Sequence, residues 1–470
     1  MNGFVFSNFC MLPHSQVRVE IAELVTRKDL HALRKYLEPW LPADLAPILV
    51  DLPVEELASI FRCTGRNLAA ATFGYLPLAS QKKLLRLLSQ EQAAALLNEL
   101  PSDDRTAFID SLPLDVAMQM LSLLSPEERK VAQDLLAYPE SSVGRMMTLD
   151  FIAVRPEWSV AQALDYIREN GYDRETLNVI YVVDETGRLI DDVRVRRFLL
   201  ALPGRQVSEL MDGNVPHLAA TDDRAHALDL FRKYDRIALP VADEGGKLIG
   251  IVTVDDILDV ADAEATEDIQ KLGGTEALDE PYITIALGRM VKKRASWLIV
   301  LFLGEMLTAT AMTFFQGEIE KAVVLALFVP LVISSGGNAG SQAATLVIRA
   351  MALGEFTLGQ WWRVMRRELV VGLALGAILG AVGFLRIAAW SMFSTVYGPH
   401  WMLVAMTVGL SLVGIVLWGS LTGSMLPLLL KRLGFDPATS SAPFVATLVD
   451  VTGLVIYFGV AYALMNGVLL

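Results

Sequence analysis

Beyond residue 294 the chain contains five apolar stretches, at approximately 295–315, 323–348, 368–392, 402–430 and 442–468. Each is long enough, at about 20 residues or more, for a helix to cross a hydrocarbon core of about 30 Å. No water reaches backbone amides in that medium, so such segments must satisfy their own hydrogen bonds as helices. The charge distribution agrees. Residues 1–294 hold 32 Lys and Arg against 46 Asp and Glu, a balance of −14, whereas residues 295–470 hold 8 and 7, a balance of +1. An acidic soluble region therefore precedes a membrane region.

An odd number of spans places the chain ends on opposite sides. Lys292, Lys293 and Arg294 precede the first span, Arg363, Arg366 and Arg367 separate the second from the third, and Lys431 and Arg432 separate the fourth from the fifth. Lys321 is the one base in the other two loops. By the positive-inside rule the amino terminus is cytoplasmic and the carboxyl terminus outside, as expected for a multi-pass protein of the cytoplasmic membrane. The opening MNGFVFSNFCMLPHS has neither a basic n-region nor an extended apolar core, which predicts no secretory signal. Cys10 and Cys63 are the only cysteines, which suits a reducing compartment. So acidic a chain is a poor partner for nucleic acid and a better one for cations.

Two repeats organise the soluble region. Turn signals recur at intervals of about twelve or its multiples: Leu41-Pro42, Leu52-Pro53, Leu76-Pro77, Leu88-Ser89, Leu100-Pro101, Leu112-Pro113 and Leu124-Ser125-Pro126. Proline just inside a helix start, followed by acids as in PVEEL, PSDDR and SPEER, predicts short helices stacked into a superhelical solenoid over residues 1–138. A passive helical domain is the competing reading. Between 139 and 262, Ala163-Leu164-Asp165 falls 64 residues before Ala227-Leu228-Asp229, and VVDETGRLI precedes PVADEGGKLIG by 59. Each unit reads helix, strand, Asp-containing turn, strand, helix. This resembles a tandem pair of CBS domains, which commonly bind adenine nucleotides or gate other modules, so the resemblance implies regulation; no glycine-rich phosphate loop is visible to assert a nucleotide. The first unit departs from the second at Asp191-Asp192-Val193-Arg194-Val195-Arg196-Arg197.

From Asp255 to Glu280 ten acids (Asp255, Asp256, Asp259, Asp262, Glu264, Glu267, Asp268, Glu276, Asp279 and Glu280) face one base, Lys271. Like charges at this density repel. Oxygen ligands without Cys or His favour Mg²⁺ or Ca²⁺ over zinc or copper. A solvated acidic helix, the connector expected over 263–294, is the plainer alternative.

Three features inside the apolar spans stand out. Asp450 lies eight residues beyond Ala442, at about 1.5 Å per residue roughly 12 Å into the fifth span. A carboxylate there marks an ion pathway, unless it is protonated or tied to Thr447 or Thr452 as packing glue. Gly336-Gly337-Asn338 and Gly340-Ser341-Gln342 permit close backbone approach or a local break in the second span. Glu305 is a second acid, read as pairing with a polar neighbour in preference to lining a pore. No span contains His or Cys, so zinc, thiol and Ser-His-Asp enzymes lack their parts, and no Walker-type loop supports phosphoryl transfer. Cation transport needs only carboxylates, carbonyls and water. The expectation is not an enzyme.

PLVISSGGNAGSQAATLVIRA, DPATSSAPFVATLVDVTGLVIY and VDDILDVADAEATEDIQKLGG resemble the MgtE family of magnesium transporters and channels. The resemblance covers nearly the whole chain. It implies a multidomain membrane protein: a cytosolic α-helical solenoid, an α/β tandem CBS pair, an amphipathic connecting helix and an all-α membrane domain of five transmembrane helices over 295–470. It further implies a homodimer in membrane lipid, with a pore along the subunit interface lined by the second and fifth spans. Asp450 corresponds to the family's central pore carboxylate and Asp436 to an acid at the cytoplasmic mouth. Asp256, Asp259, Glu264, Glu267 and Asp268 match connector acids that share regulatory Mg²⁺, Asp223 and Asp235 match acids of the second CBS unit, and Asp103 and Asp104 are the solenoid's partners. Where the family has asparagine before the proline of the fifth span, this chain has Ala442, which removes an amide contact to the hydrated ion. Mg²⁺-selective uptake, closed by cytosolic Mg²⁺, is the function implied. A broader divalent transporter, for example for Co²⁺, and a non-conducting Mg²⁺ or nucleotide sensor are the alternatives.

Overall fold

The structure is a computed structural model that describes residues 14–468 except Asp173, residues 279–281 and Thr284. Cys10, Asp279 and Glu280 lie outside the described residues. Packing divides the chain into two units that meet between Ala261 and Asp262.

In the first unit, short helices run from His14 to Leu136, and beyond the first of them most pack chiefly on a next-but-one neighbour. From Leu41 onward their N-cap residues fall at strict intervals of twelve: Leu41, Pro53, Gly65, Pro77, Ser89, Pro101, Pro113 and Ser125. Proline fits here because the first amides of a helix have no intrahelical partner to lose. Ser89 adds a reciprocal capping box with Gln92. Gly65 caps its helix with neither proline nor a side-chain hydrogen bond, so no turn signal marks that position in the sequence. The inward faces bury Leu33, Leu45, Leu57, Phe73, Leu84 and Leu97. Arg105 is also buried, donating to the Leu97 and Leu100 carbonyls and pairing with Glu128.

Two three-stranded sheets follow. In the first, β1 (Ala153–Val154) runs parallel to β2 (Val179–Val183), which pairs antiparallel with β3 (Leu189–Arg194). In the second, β4 (Leu218–Ala219), β5 (Ala238–Ala242) and β6 (Leu248–Thr253) repeat the arrangement. Every residue of β2 and β5 is buried, as expected of strands covered on both faces. The predicted turns are Asx turns: Asp184 accepts from the Thr186 and Arg188 amides, and Asp243 from the Gly245 and Lys247 amides. The two turns also bond to each other, Leu189 N to Gly246 O and Leu248 N to Gly187 O, so the units form one paired body.

The connecting helix runs Val254–Leu272. It begins nine residues before the expected start and does not extend to 294. Gly273 and Gly274 terminate it: Gly274 adopts φ +73°, a left-handed conformation that glycine takes without strain, and Thr275 N returns to Gln270 O.

In the second unit five helices are long and apolar enough to cross a membrane: Leu287–Phe314, Val323–Ala352, Leu358–Ser391, Trp401–Arg432 and Ala442–Met465. The second is interrupted after Ala326 and resumes at Val329, with Pro330 in its first turn. Tyr457 donates to the Leu325 carbonyl beside that interruption, which also accepts from Phe328 N. The GGNAG segment lies inside the continuous helix Val329–Ala352, so its glycines serve close approach rather than a break. A Cβ on Gly419 would lie 2.3 Å from Gly336 O, and one on Gly423 2.0 Å from Gly340 O. The second and fourth spans thus cross backbone to backbone.

Candidate functional site

The acids gather in three places. The first lies within the first unit. Asp103 and Asp104 occupy the opening turn of the helix Ser102–Asp110, and Asp255 and Asp256 that of the connecting helix. Burial, then the charges of Asp256 and Asp104, push the Asp103 carboxyl up to about 8. Asp256 rises to about 7, chiefly by burial, although Thr253 Oγ1 donates to it at 2.8 Å. Asp104 is raised by burial, then by Asp255 and Asp259. Glu175, from the first CBS unit, is raised by burial and by Asp255, Asp150 and Asp104. These upward shifts describe carboxylates that repel one another. Among the described residues no three of them converge closely enough to ligate one bare ion.

Asp223 and Asp235 occupy opposite ends of the helix Arg224–Tyr234. Asp223 caps its start, accepting from Ala225 N at 2.8 Å, and Asp235 ends it in a left-handed conformation. Within one chain their visible work is capping.

The second gathering surrounds Asp436. Lys271 Nζ lies 2.6 Å from Asp436 Oδ2 and 2.5 Å from Glu267 Oε1. Burial works against the Lys271 ammonium, but hydrogen bonds to Asp436 and Glu267 outweigh it and push its pKa up. Asp268 is raised by burial and by Asp436, with Lys271 and Arg349 opposing. Asp436 also accepts from Ala438 N, capping the turn that leads into the fifth span. Glu264 lies on the same connecting helix.

The third is Asp450, half-buried on the fifth span. Its Oδ1 is 3.6 Å from the position a Cβ would take on Gly337, so the glycine surface of the second span lies against it. No hydrogen bond ties Asp450 to Thr447 or Thr452 among the described residues. Thr452 spends its hydroxyl on Leu448 O and on the Trp418 indole, and Asp450 makes no hydrogen bond among the described residues. Gly304 packs against Thr447, which brings the exposed Glu305 within electrostatic reach of Asp450. Glu305 pairs with no polar neighbour among the described residues, contrary to expectation. Ser341 donates to the Ala442 carbonyl at 3.1 Å, which fixes that main chain beside the second span.

The sequence matches three family models: the MgtE divalent cation transporter over residues 329–460, the MgtE intracellular N domain over 40–141, and the CBS domain over 143–204 and 207–263. It is 37% identical over 456 residues to a magnesium transporter MgtE of Thermus thermophilus, covering 96% of this chain and 99% of that protein. The chain belongs to the MgtE family. A magnesium transporter MgtE of Bacillus subtilis is 27% identical, with 97% and 99% covered. A crystal structure of the soluble part of a magnesium transporter overlays 54% of this chain and all of its own at a TM-score of 0.51 and 24% identity, which concerns the fold alone.

Sequence reasoning omitted Glu175 from the candidate acids, although Asp255, Asp150 and Asp104 all act on its carboxyl. It lies outside the connector's acid run, in the loop before β2, and only the folded CBS unit carries it to Asp104 and Asp255. The family's CBS pair also has a cleft of about 720 Å³ here, lined by Arg194, Arg196, Arg197, Arg205, Arg236 and Tyr234. The divergence at Asp191-Asp192 gains a role: Asp191 accepts from the Asp212 and Gly213 amides, and Asp192 pairs with Arg236 at 2.8 Å. This departure from the second unit builds an arginine-rich wall.

Proposed function

We propose that this MgtE-family protein carries Mg²⁺ into the cell through a pore centred on Asp450 and is restrained by its own cytosolic acids. The observation that carries the reading is Asp450 itself, a half-buried carboxylate inside a membrane-spanning helix, with no hydrogen bond or ion pair among the described residues and facing glycine backbone. Such a group is costly unless an aqueous path or a cation meets it. The Thermus thermophilus and Bacillus subtilis relatives are named magnesium transporters and match nearly end to end, which supports Mg²⁺ as the ion. Mg²⁺ surrenders its water reluctantly, so carboxylates and carbonyls would select it as a hydrated ion. One chain does not enclose Asp450, which supports a homodimer in which two copies present it to a shared pore.

The acids of the first unit supply the brake. Asp103, Asp104, Glu175, Asp255, Asp256 and Asp259 are all oxygen donors, and Asp103, Asp104, Glu175 and Asp256 are raised first by burial and then by neighbouring carboxylates. That donor set fits Mg²⁺, which would supply the missing positive charge. With repulsion relieved, the helix carrying Asp103 stays against the start of the connecting helix, and without it the two separate. The same cation thereby distinguishes two states. Asp223, Asp235, Glu264, Glu267 and Asp268 are retained as further ligands contributed in the dimer. The arginine-lined cleft suits a polyphosphate, and an adenine nucleotide is the regulatory ligand proposed there.

The amino terminus lies in the cytoplasm on this reading, because the basic residues at the span ends follow the positive-inside pattern. Flux into vesicles tests the whole. Purified protein should admit Mg²⁺, and Asp450→Ala should lose it. Undiminished flux in that variant, or a strong preference for Co²⁺ in the parent, would overturn the Mg²⁺-pore reading.

A further inference from the structure

Between the start of the third span and the end of the fourth lies an apolar groove of about 450 Å³. Trp361 and Met365 form one wall, one helical turn apart, while Trp418, Met425, Leu429 and Arg432 follow one another along the other helix. From Trp418 to Arg432 is fourteen residues, or about 21 Å of helix. That length covers one leaflet of a core about 30 Å thick and reaches the headgroup level. The groove is therefore dry along its length and cationic at one end.

Arg432 has no carboxylate partner among the described residues, and its neighbour Lys431 is also exposed. Arg363, Arg366 and Arg367 lie in the first two turns of the facing helix. Trp418 donates its indole N–H to Thr452 Oγ1 at 2.8 Å, which holds the ring in place with its polar edge satisfied. A lone acyl chain would need no guanidinium, and a soluble anion would need no 21 Å apolar slot. The two features together fit one molecule.

We infer that the groove is a binding site for an anionic phospholipid, with an acyl chain along Trp418, Met425 and Leu429 and the headgroup phosphate at Arg432. Basic pockets between spans on the cytoplasmic side are suited to such headgroups. The inference rests on the reading that these helices cross a membrane, but not on the identity of the transported ion. Bound lipid would brace the fourth span, whose other face crosses the second span at Gly336 and Gly340.

Full-length protein in detergent should be titrated with dioleoyl phosphatidylglycerol or dioleoyl phosphatidylcholine, and bound lipid counted by native mass spectrometry. One phosphatidylglycerol per chain should bind about fivefold more tightly than phosphatidylcholine, the increment expected for one surface cation. Arg432→Gln should abolish that preference, Arg432→Lys should keep most of it, and Thr422→Phe, which fills the slot, should weaken both lipids. Equal binding of the two lipids, or an unchanged preference in Arg432→Gln, would overturn the site. So would a disulfide between copies through Thr422→Cys, because a second subunit would then fill the groove. Mg²⁺ flux after reconstitution of the same preparations into vesicles separates the readings: transport without selective lipid binding discards this inference alone, and selective binding without transport discards the pore.

Discussion

Lys271 Nζ lies 2.6 Å from Asp436 Oδ2, so the carboxylate at the proposed mouth of the pore is already held by a cation belonging to the protein. The same ammonium reaches Glu267, and the pair is half-exposed, worth on the order of 1 kcal/mol. A tethered lysine and a diffusing Mg²⁺ therefore compete for the same oxygens. Lys271→Met should expose Glu267, Asp268 and Asp436 to one another and raise the Mg²⁺ dependence of connector order. Limited proteolysis across residues 262–286 should show weaker protection than the parent without Mg²⁺ and parental protection at millimolar Mg²⁺. Equal protection at every concentration would remove Lys271 from the latch.

The acid cluster of the first unit carries a defined pH signature. Asp103 and Asp256 have folded-state pKa values above the ordinary carboxylate range, at about 8 and about 7. The folded state thus holds protons that the unfolded chain releases above about pH 4. Stability should fall as pH rises from about 4 toward 8, with a slope of at most about 1.4 kcal/mol per unit for each such group. Thermal unfolding in Mg²⁺-free buffer should show that decline. Asp103→Asn should flatten it and raise the melting temperature at pH 8, and millimolar Mg²⁺ should flatten it in the parent.

Much of this was legible in the sequence because it repeats or because it is costly. The twelve-residue turns, the paired Asx turns at Asp184 and Asp243, and Asp450 in an apolar helix each follow from local chemistry. The positions that escaped depend on long-range packing. Gly65 caps a helix without a proline or serine to announce it, and Glu175 joins the acids only through the loop before β2. The GGNAG stretch admitted two readings, since its glycines could equally have broken a helix. Only the facing Gly419 and Gly423 decide for close approach.

That crossing predicts its own mutational pattern. Alanine at Gly423 would set a Cβ 2.0 Å from Gly340 O, and backbone cannot rotate away as a side chain can. Gly423→Ala should destabilise the detergent-solubilised protein by about 1–3 kcal/mol, the usual cost of overpacking. Gly459→Ala is the matched control, because nothing lies within 4 Å of its added methyl. Thermal melts of the two variants should separate clearly, and equal melting would show that the spans are not held at this distance.

The ion pair between Asp192 and Arg236 links the two CBS units and lines their cleft, so it joins stability to ligand binding. Asp192 is almost wholly buried, with its side chain 2% exposed, and Arg236 is 17% exposed at 2.8 Å. Removing the arginine leaves a buried carboxylate without its partner, a change that costs about 3–5 kcal/mol. Arg236→Ala should therefore lower the melting temperature at neutral pH. Asp192→Asn in the same background should recover much of the loss, because it removes the stranded charge. The double variant keeps the fold but lacks one guanidinium of the cleft. It should bind ATP more weakly than the parent by calorimetry, whereas unchanged ATP affinity would move the nucleotide away from the Arg236 wall.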